Sequence, residues 1–311
     1  GTADVTVTVK LSDALRKELT DTFENGIYIE GYITLTQQTT AEGVTGCDLS
    51  IPYLAFYGDW DQAPVIDIGY YWQKLQGEPN WASQYLNYGG SMLSGTGSFY
   101  VFGGNPYAPE LAYYPEHNTL SPLRTDGYYD KVDLIYTALL RNAKSLTYRI
   151  TDAKTGETYY RKTVDYVGKS VYNANYDTIL PAGSFTSTAI DPWYGVDSAG
   201  EMLKDDTTVI VSIDTELDHD GFTAAQNKNA HWEFPVTIDN TPPQILSSTS
   251  DGETLTLEVA DSRYLAYVEV YDVEHMNVFS EPVFSQGYSS KTPGETATVR
   301  VNVSGLNKVY V

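Results

Sequence analysis

The residues of this chain that could do chemistry are few and dispersed. A serine-protease triad needs a histidine beside a nucleophile and an orienting carboxylate, and no short segment supplies all three. Asp218-His219-Asp220-Gly221 is polar, but adjacent residues on a strand or turn point in different directions, so a solvated loop is the favoured interpretation. The sequence therefore predicts no catalytic residue. The four histidines and the single cysteine are His117, His219, His231, His275 and Cys47.

Two candidate nucleophiles lack the surroundings that would activate them. Ser91 follows Gly89-Gly90, but the small residue and proline that open a helix beneath some nucleophilic serines are absent, so Ser91 is expected to lie in a loop. Cys47 follows Gly46 in a polar stretch without a partner motif, and a single cysteine cannot form an internal disulfide. We interpret Cys47 as an incidental thiol.

Calcium is the one metal for which the sequence offers a candidate site. The turn 125–130 places two carboxylates, Asp126 and Asp130, around a glycine, which can bring oxygens to one cation. The stretch 216–221 begins like an EF-hand loop, but it has Asn227 where the bidentate glutamate belongs. Acidic turns are most often solvated. The sequence therefore predicts Asp126 and Asp130 as the ligands of an optional calcium ion and predicts no required cofactor.

Strands must position most of these residues. Residues 5–11 alternate between apolar and polar side chains, which predicts a strand with one buried face, and Ser12 is a candidate N-cap for a short helix from Asp13. Strands that recur about every ten residues, with almost no helix, are typical of β-sandwiches in series. The predicted fold class is all-β. Further strands are predicted at 27–35, 49–57, 132–140, 146–151, 158–164, 207–214, 254–259, 264–271 and 297–303.

Turn residues divide this pattern into segments. Pro52 predicts an edge strand or a bulge, residues 152–156 predict a hairpin loop, and Asp59 and Asp61 are expected to cap a turn. Pro242-Pro243 predicts a break between strands, because paired prolines do not fit a central strand. The predicted organisation is a first domain at 1–69, an aromatic and glycine-rich connection at 70–118, a second domain at 119–242 and a third at 243–311.

The two termini predict an excised piece of a longer protein. Strand-like sequence begins almost at once, and the chain stops at alternating residues without a turn or cap. The first domain is therefore expected to lack its N-terminal part, and the third its C-terminal part. No signal peptide is evident.

Charge excludes two classes of partner. The 311 residues contain 19 Lys and Arg against 41 Asp and Glu, a net charge of −22. Nucleic-acid binding needs a basic face, and anionic lipid also attracts basic surfaces. No apolar run approaches the roughly 20 residues of a membrane span. The 27 tyrosines are interpreted mostly as half-buried sandwich residues, and the aromatic cluster between Trp72 and Tyr114 is the place where exposed binding aromatics are expected.

Several segments, in order along the chain, carry a family resemblance. Residues 49–64 contain Pro-Tyr-x-x-Phe-x-Gly-Asp-Trp, residues 120–130 are similar to a Ser-Pro-Asn-x-Asp-Gly-x-x-Asp turn, residues 140–144 read Leu-Arg-Asn-Ala-Lys, and residues 232–243 resemble a domain exit. The chain thus resembles the fibronectin type III-like region of subtilisin-family cell-envelope serine proteases, the lactocepin and complement-cleaving surface peptidase group. It departs from the family at Leu123-Arg124, where Asn-Gly or similar is usual.

The resemblance implies tandem immunoglobulin or fibronectin type III-like β-sandwiches in a secreted, Gram-positive cell-surface protein. The chain would be a non-catalytic accessory stalk that spaces a serine endopeptidase from the cell wall and shapes substrate access. Its partners would be its own upstream catalytic domain and a protein or peptide substrate. The family's catalytic residues have no positions in this chain.

Two alternatives stay open. The first is a surface adhesin or carbohydrate-binding β-sandwich array, which would present an exposed aromatic platform. The second is an enzyme in its own right, which would need a histidine, a carboxylate and a nucleophile brought together by folding.

Overall fold

The computed structural model is all-β, as the sequence predicts. By contacts it divides into unit 1, which comprises residues 1–64 and 219–228, and unit 2, which comprises residues 65–218 and 229–311. Within the part of the chain that it describes, no helix has both the length and the hydropathy needed to cross a bilayer. The structure describes residues 4–36, 38, 43, 46–66, 90–92, 99–102, 105, 115–124, 129–133, 139–175, 178–180, 191–222, 227, 230–276, 280–290 and 292–311.

The described elements are strands with one α-helix and one short 3-10 helix. The helices are α1 (Asp13–Thr22) and the 3-10 turn Pro115–His117. The strands are β1 (Ile27–Leu35), β2 (Leu49–Tyr57), β3 (Gly90–Met92), β4 (Phe99–Val101), β5 (Thr119–Leu120), β6 (Ala143–Asp152), β7 (Thr158–Val167), β8 (Val171–Asn173), β9 (Thr178–Leu180), β10 (Thr208–Glu216), β11 (His231–Ile238), β12 (Gln244–Ser250), β13 (Thr254–Ala260), β14 (Tyr267–Asp272), β15 (Phe284–Gly287), β16 (Ala297–Asn302) and β17 (Val309–Tyr310).

Unit 1 contains α1 and the antiparallel pair β1–β2. The Ser12 side chain accepts a hydrogen bond from the Leu15 backbone N–H at 3.2 Å, which confirms the predicted N-cap. The strands β1 and β2 pair over nine residues, and Pro52 is tolerated because each strand of a two-stranded sheet has an open edge. Gly31 leaves room for Tyr53 of β2, since a Cβ at Gly31 would lie 2.6 Å from the Tyr53 hydroxyl and would force that side chain to shift.

The prediction of a strand at residues 5–11 is wrong. These residues are described and form no strand, and the side chains of Val5, Val7 and Val9 are 66%, 49% and 54% exposed. Alternation marks a segment able to bury one face, but a strand forms only where a neighbouring strand accepts its backbone hydrogen bonds.

A five-stranded sheet dominates unit 2, in the order β5-β11-β10-β6-β7. β5 runs parallel to β11, and the other pairs are antiparallel. The predicted strands at 146–151, 158–164 and 207–214 are confirmed, and the hairpin at 152–156 is closed by Asp152, whose carboxylate accepts hydrogen bonds from the Lys154 and Thr155 backbone N–H groups. The inward side chains of β6, β10 and β11 form the core: Leu146, Tyr148, Ile150, Val209, Val211, Ile213, Trp232, Phe234 and Val236.

The strand predicted at 132–140 is only partly described. Its described ends form isolated bridges from Val132 to Trp193 and from Leu139 to Ile66, and residues 134–138 lie outside the described residues. Ser91, expected in a loop, lies in β3, which pairs with β4.

The last part of unit 2 is a small sandwich. The sheets β12-β13-β16 and β15-β14-β17 enclose one core cluster. β13 and β16 match the predicted strands closely, whereas β14 begins at Tyr267 rather than at residue 264. Pro242-Pro243 lies between β11 and β12, so the predicted break between strands is confirmed. The core cluster consists of Leu257, Val259, Leu265, Val268, Val270, Val299, Val301 and Val303.

Candidate functional sites

The predicted calcium turn is only partly described. Asp126 lies outside the described residues, and Asp130 is half-buried at a bend. Within the described ranges, no three or more His, Cys, Asp or Glu side chains are grouped so that they could hold a metal ion. In the EF-hand-like stretch, Glu216 instead pairs with Lys144, whose Nζ lies 2.8 Å from its Oε1.

Unit 1 contains a histidine–carboxylate pair that sequence reasoning missed. His219 Nε2 donates to Asp61 Oδ1, and His219 Nδ1 lies 3.1 Å from the Asp220 carbonyl oxygen. Both ring nitrogens of His219 therefore face oxygen atoms. Asp61 is 5% exposed, and its backbone N–H donates to Asp59 Oδ1 at 2.9 Å. Asp59 thus caps the turn as predicted, whereas Asp61 serves as the partner of a histidine 158 positions away.

Asn227 ties the same two segments of unit 1 together. Its Nδ2 donates to the Asp61 carbonyl at 2.5 Å and to the Ala63 carbonyl at 2.8 Å, and its side chain is buried. The position that fails as an EF-hand ligand in the sequence therefore has a structural role, because it satisfies two backbone carbonyls of the turn that follows Trp60.

His231 belongs to a charged network on the face of β10 and β11. Its Nδ1 lies 2.7 Å from Asp214 Oδ1, and its Nε2 lies 3.1 Å from Glu233 Oε2. Arg149 of β6 donates to the other Asp214 oxygen at 2.6 Å. Burial alone would lower the pKa of His231, but the hydrogen bonds and charges of Asp214 and Glu233 outweigh it and raise that pKa.

The other two histidines have different surroundings. His275 Nδ1 donates to Asp272, which raises the pKa of this largely exposed ring. His117 packs on Tyr264 with ring centroids 4.1 Å apart, and burial lowers the pKa of His117.

The chemistry open to His219 and His231 is limited. His219 and His231 each direct both ring nitrogens at carboxylate or carbonyl oxygens. An imidazole held in this way has no nitrogen left to accept a proton from a nucleophilic hydroxyl, as a general base must. These arrangements are suited to holding strands and loops together.

A second polar network surrounds the chain between β11 and β14. Asp205 accepts hydrogen bonds from the Asn240 backbone and side-chain N–H groups and from the Thr241 hydroxyl. Burial would raise the pKa of Asp205, but these hydrogen bonds outweigh it and lower that pKa. Ser262 donates to Asp239 Oδ1 at 2.7 Å, and burial raises the pKa of Asp239 to about 6.

A groove of about 660 Å³ lies in unit 2 beside this network. His117 and Arg124 line it from the segments around β5, and the remaining lining comes mostly from residues 242–271, 288–289 and 310–311. Asn105, from the segment predicted to connect domains, donates to the Ala266 and Tyr288 carbonyls. The predicted aromatic cluster between Trp72 and Tyr114 lies mostly outside the described residues, but Phe102 is buried and packs near Phe234 and Tyr129. Six tyrosines of the described chain line the groove: Tyr129, Tyr264, Tyr267, Tyr271, Tyr288 and Tyr310.

Sequence comparison finds distant similarity to peptidases of a streptococcus. The chain is 23% identical to a C5a peptidase of Streptococcus pyogenes serotype M1, over an alignment of 309 residues that covers 81% of this chain and 24% of the peptidase. A second Streptococcus pyogenes C5a peptidase is 24% identical, with coverage of 81% and 25%. No family model and no solved structure matches the chain. The chain spans about a quarter of the length of the curated relatives it matches.

Proposed function

We propose that this chain is the non-catalytic accessory region of a secreted, cell-surface, subtilisin-like serine endopeptidase. The observation that carries the proposal is the pattern of coverage: four fifths of the chain aligns with only a quarter of a peptidase. A chain that corresponds to one part of a larger enzyme, and that carries the turn and exit motifs described above, is best understood as one of its accessory parts.

The all-β fold and the histidine surroundings support the same proposal. Subtilisin-type catalysis needs a histidine within reach of a serine hydroxyl, whereas His219 and His231 are bonded to carboxylates and a carbonyl. The proposed organisation is three fibronectin type III-like sandwiches at 1–69, 119–242 and 243–311, with residues 70–118 connecting the first two.

The proposed role is mechanical and steric. The sandwiches space the catalytic domain from the cell wall, and those nearest to that domain shape the access of a protein or peptide substrate. The net charge of −22 suits a module that must not adhere to anionic wall polymers, and it would also attract basic peptides towards the enzyme.

A labelling experiment tests whether the chain is non-catalytic. A fluorophosphonate probe, which reacts with activated serine nucleophiles, should leave the isolated 311-residue chain unlabelled and should label the protein encoded by the complete gene. Labelling of the isolated chain, or a complete gene without subtilisin-type Asp, His and Ser segments upstream, contradicts the proposal.

A deletion tests the accessory role. The complete protein and a variant that lacks this region should carry the same labelled serine, which shows that the catalytic domain has folded. The deletion should lower kcat/KM for a folded protein substrate much more than for a short chromogenic peptide, because only the larger substrate reaches the accessory domains. Equal kcat/KM values for both substrates, with and without the region, contradict the role.

A further inference from the structure

We propose that the tyrosine-lined groove of unit 2 binds a neutral oligosaccharide. This inference goes beyond the accessory role and does not depend on it, since the groove is formed within the described residues of this chain.

The outer face of β14 provides the floor of the groove. Val268 and Val270 are buried in the sandwich core, so Tyr267, Glu269 and Tyr271, which alternate with them, point to the opposite face of the sheet. Four residues of strand separate the two tyrosines by about 13 Å. Aromatic rings at that distance, with a carboxylate between them, match an extended chain of sugar rings better than a single small molecule.

The neighbouring strands leave this face open on one side and extend it on the other. Ser285 and Gly287 of β15 stand opposite Glu269 and Tyr267, and side chains of this size leave space above the sheet. Tyr310 of β17 stands opposite Tyr271 and is 59% exposed. The result is a trough with aromatic faces at Tyr267 and towards Tyr271 and Tyr310.

Polar groups in the groove are placed to bind hydroxyls. Glu269 Oε2 accepts a hydrogen bond from the Tyr271 hydroxyl at 2.8 Å, which fixes the carboxylate and leaves it further lone pairs.

The charges of the groove favour a neutral ligand. Arg124 contributes a positive charge to the groove, whereas Asp261 and Glu269 contribute negative ones. An anionic ligand and a cationic ligand would therefore each face groups of like charge. A protein partner with an apolar surface would remove water from the Glu269 carboxylate without offering it a hydrogen-bond donor. A sugar chain meets both demands, because its C–H faces pack on aromatic rings and its hydroxyls donate to carboxylates and exchange hydrogen bonds with tyrosines.

Binding to a glycan array tests the proposal. The 311-residue chain should bind a subset of neutral oligosaccharides, and the affinity for the strongest of these should be measured by calorimetry. The variants Tyr267→Ala and Tyr310→Ala should each weaken binding about tenfold, since truncated aromatic anchors typically cost this much or more. Tyr194→Ala, which removes another exposed tyrosine of unit 2, is the matched control and should leave the affinity unchanged.

Salt dependence separates this site from a charged one. The affinity for a neutral glycan should change little between about 0.05 M and 0.5 M NaCl, because screening acts on charge pairs. Three results overturn the proposal: no neutral glycan bound on the array, full affinity in both groove variants when circular dichroism shows them folded, or binding only of charged glycans with a steep loss in salt.

Discussion

Asp214 and His231 are direct partners in the register of β10 and β11, and Nδ1 of the ring lies 2.7 Å from Asp214 Oδ1. The same imidazole reaches Glu233 on its own strand at 3.1 Å. Two carboxylates around one ring favour the protonated form, so the pKa of His231 is raised above its ordinary value of 6.5 although burial opposes the change. This pair therefore links the stability of the large sheet to pH.

The first prediction concerns His231→Gln. A histidine whose pKa is raised by folding stabilises the native state fully below its unfolded pKa of about 6.5, and the contribution is lost as pH rises through the folded pKa. The substitution should lower the free energy of unfolding at pH 5.5 by up to about 1 kcal/mol, a discounted figure because the ring is half exposed. At pH 9 the difference should vanish. Urea unfolding at both pH values measures it, and a difference of equal size at both would contradict the linkage.

The second prediction concerns Asp239→Asn, where the sign is opposite. Burial raises the pKa of Asp239 from 3.8 to about 6, so the ionised carboxylate costs stability that is absent below pH 3.8, grows up to pH 6 and is complete above it. Asparagine keeps an acceptor for Ser262. The variant should therefore be more stable than the natural chain at pH 7.5, by about 1 kcal/mol after allowance for partial exposure, and equally stable at pH 3.5.

Asp251→Asn is the matched control for Asp239→Asn. Hydrogen bonds from the Thr254 and Glu253 backbone N–H groups lower the pKa of Asp251. Its ionised form therefore stabilises the folded chain above the unfolded pKa, and the variant should be less stable at pH 7.5. A destabilised Asp239→Asn at pH 7.5 would show that the Asp239 carboxylate contributes more through its contacts than its burial costs.

Local sequence pattern predicts a strand best where the fold supplies a partner strand for it. β1 alternates in burial along most of its length, β2 does not, and both form as predicted because each is the other's partner. The equally regular stretch at Val5 to Val9 forms no strand. Conversely, β12 is fully exposed along its length and carries little alternation, so its pairing with β13 decides its conformation.

Site residues are harder to predict because they meet across long sequence separations. Asp61 and His219 are 158 positions apart, and Asn227 reaches the same turn from 166 positions away. Each is unremarkable in its own segment. Tyr267 and Tyr310 likewise resemble ordinary sandwich residues in the sequence, and only the order β15-β14-β17 places them on one face.

The third prediction concerns Asn227→Asp. The amide donates to two carbonyls, those of Asp61 and Ala63, and a carboxylate would turn both contacts into repulsions between acceptors at a buried position. The substitution should cost about 2 kcal/mol in the free energy of unfolding. Asn302→Asp is the control, because Asn302 is exposed and uses only its oxygen, which accepts from the Ser304 N–H. Equal urea midpoints for the two variants would refute the structural role of Asn227.

The last prediction concerns calcium at the turn that contains Asp126 and Asp130. A ligand bound only by the folded chain stabilises it by mass action, by about 2.7 kcal/mol at about 100 times Kd. If the turn holds calcium as the sequence predicts, Tm should rise in millimolar CaCl2 relative to EGTA, and Asp130→Asn should abolish that rise. Asp197→Asn is the control, since Asp197 caps another turn through the Ala199 and Glu201 N–H groups and should leave the calcium response intact. If the natural chain has the same Tm in CaCl2 and EGTA, the site is excluded. If the rise in Tm survives Asp130→Asn, the ion binds elsewhere, because a site with two protein carboxylates loses affinity for calcium when one of them is removed.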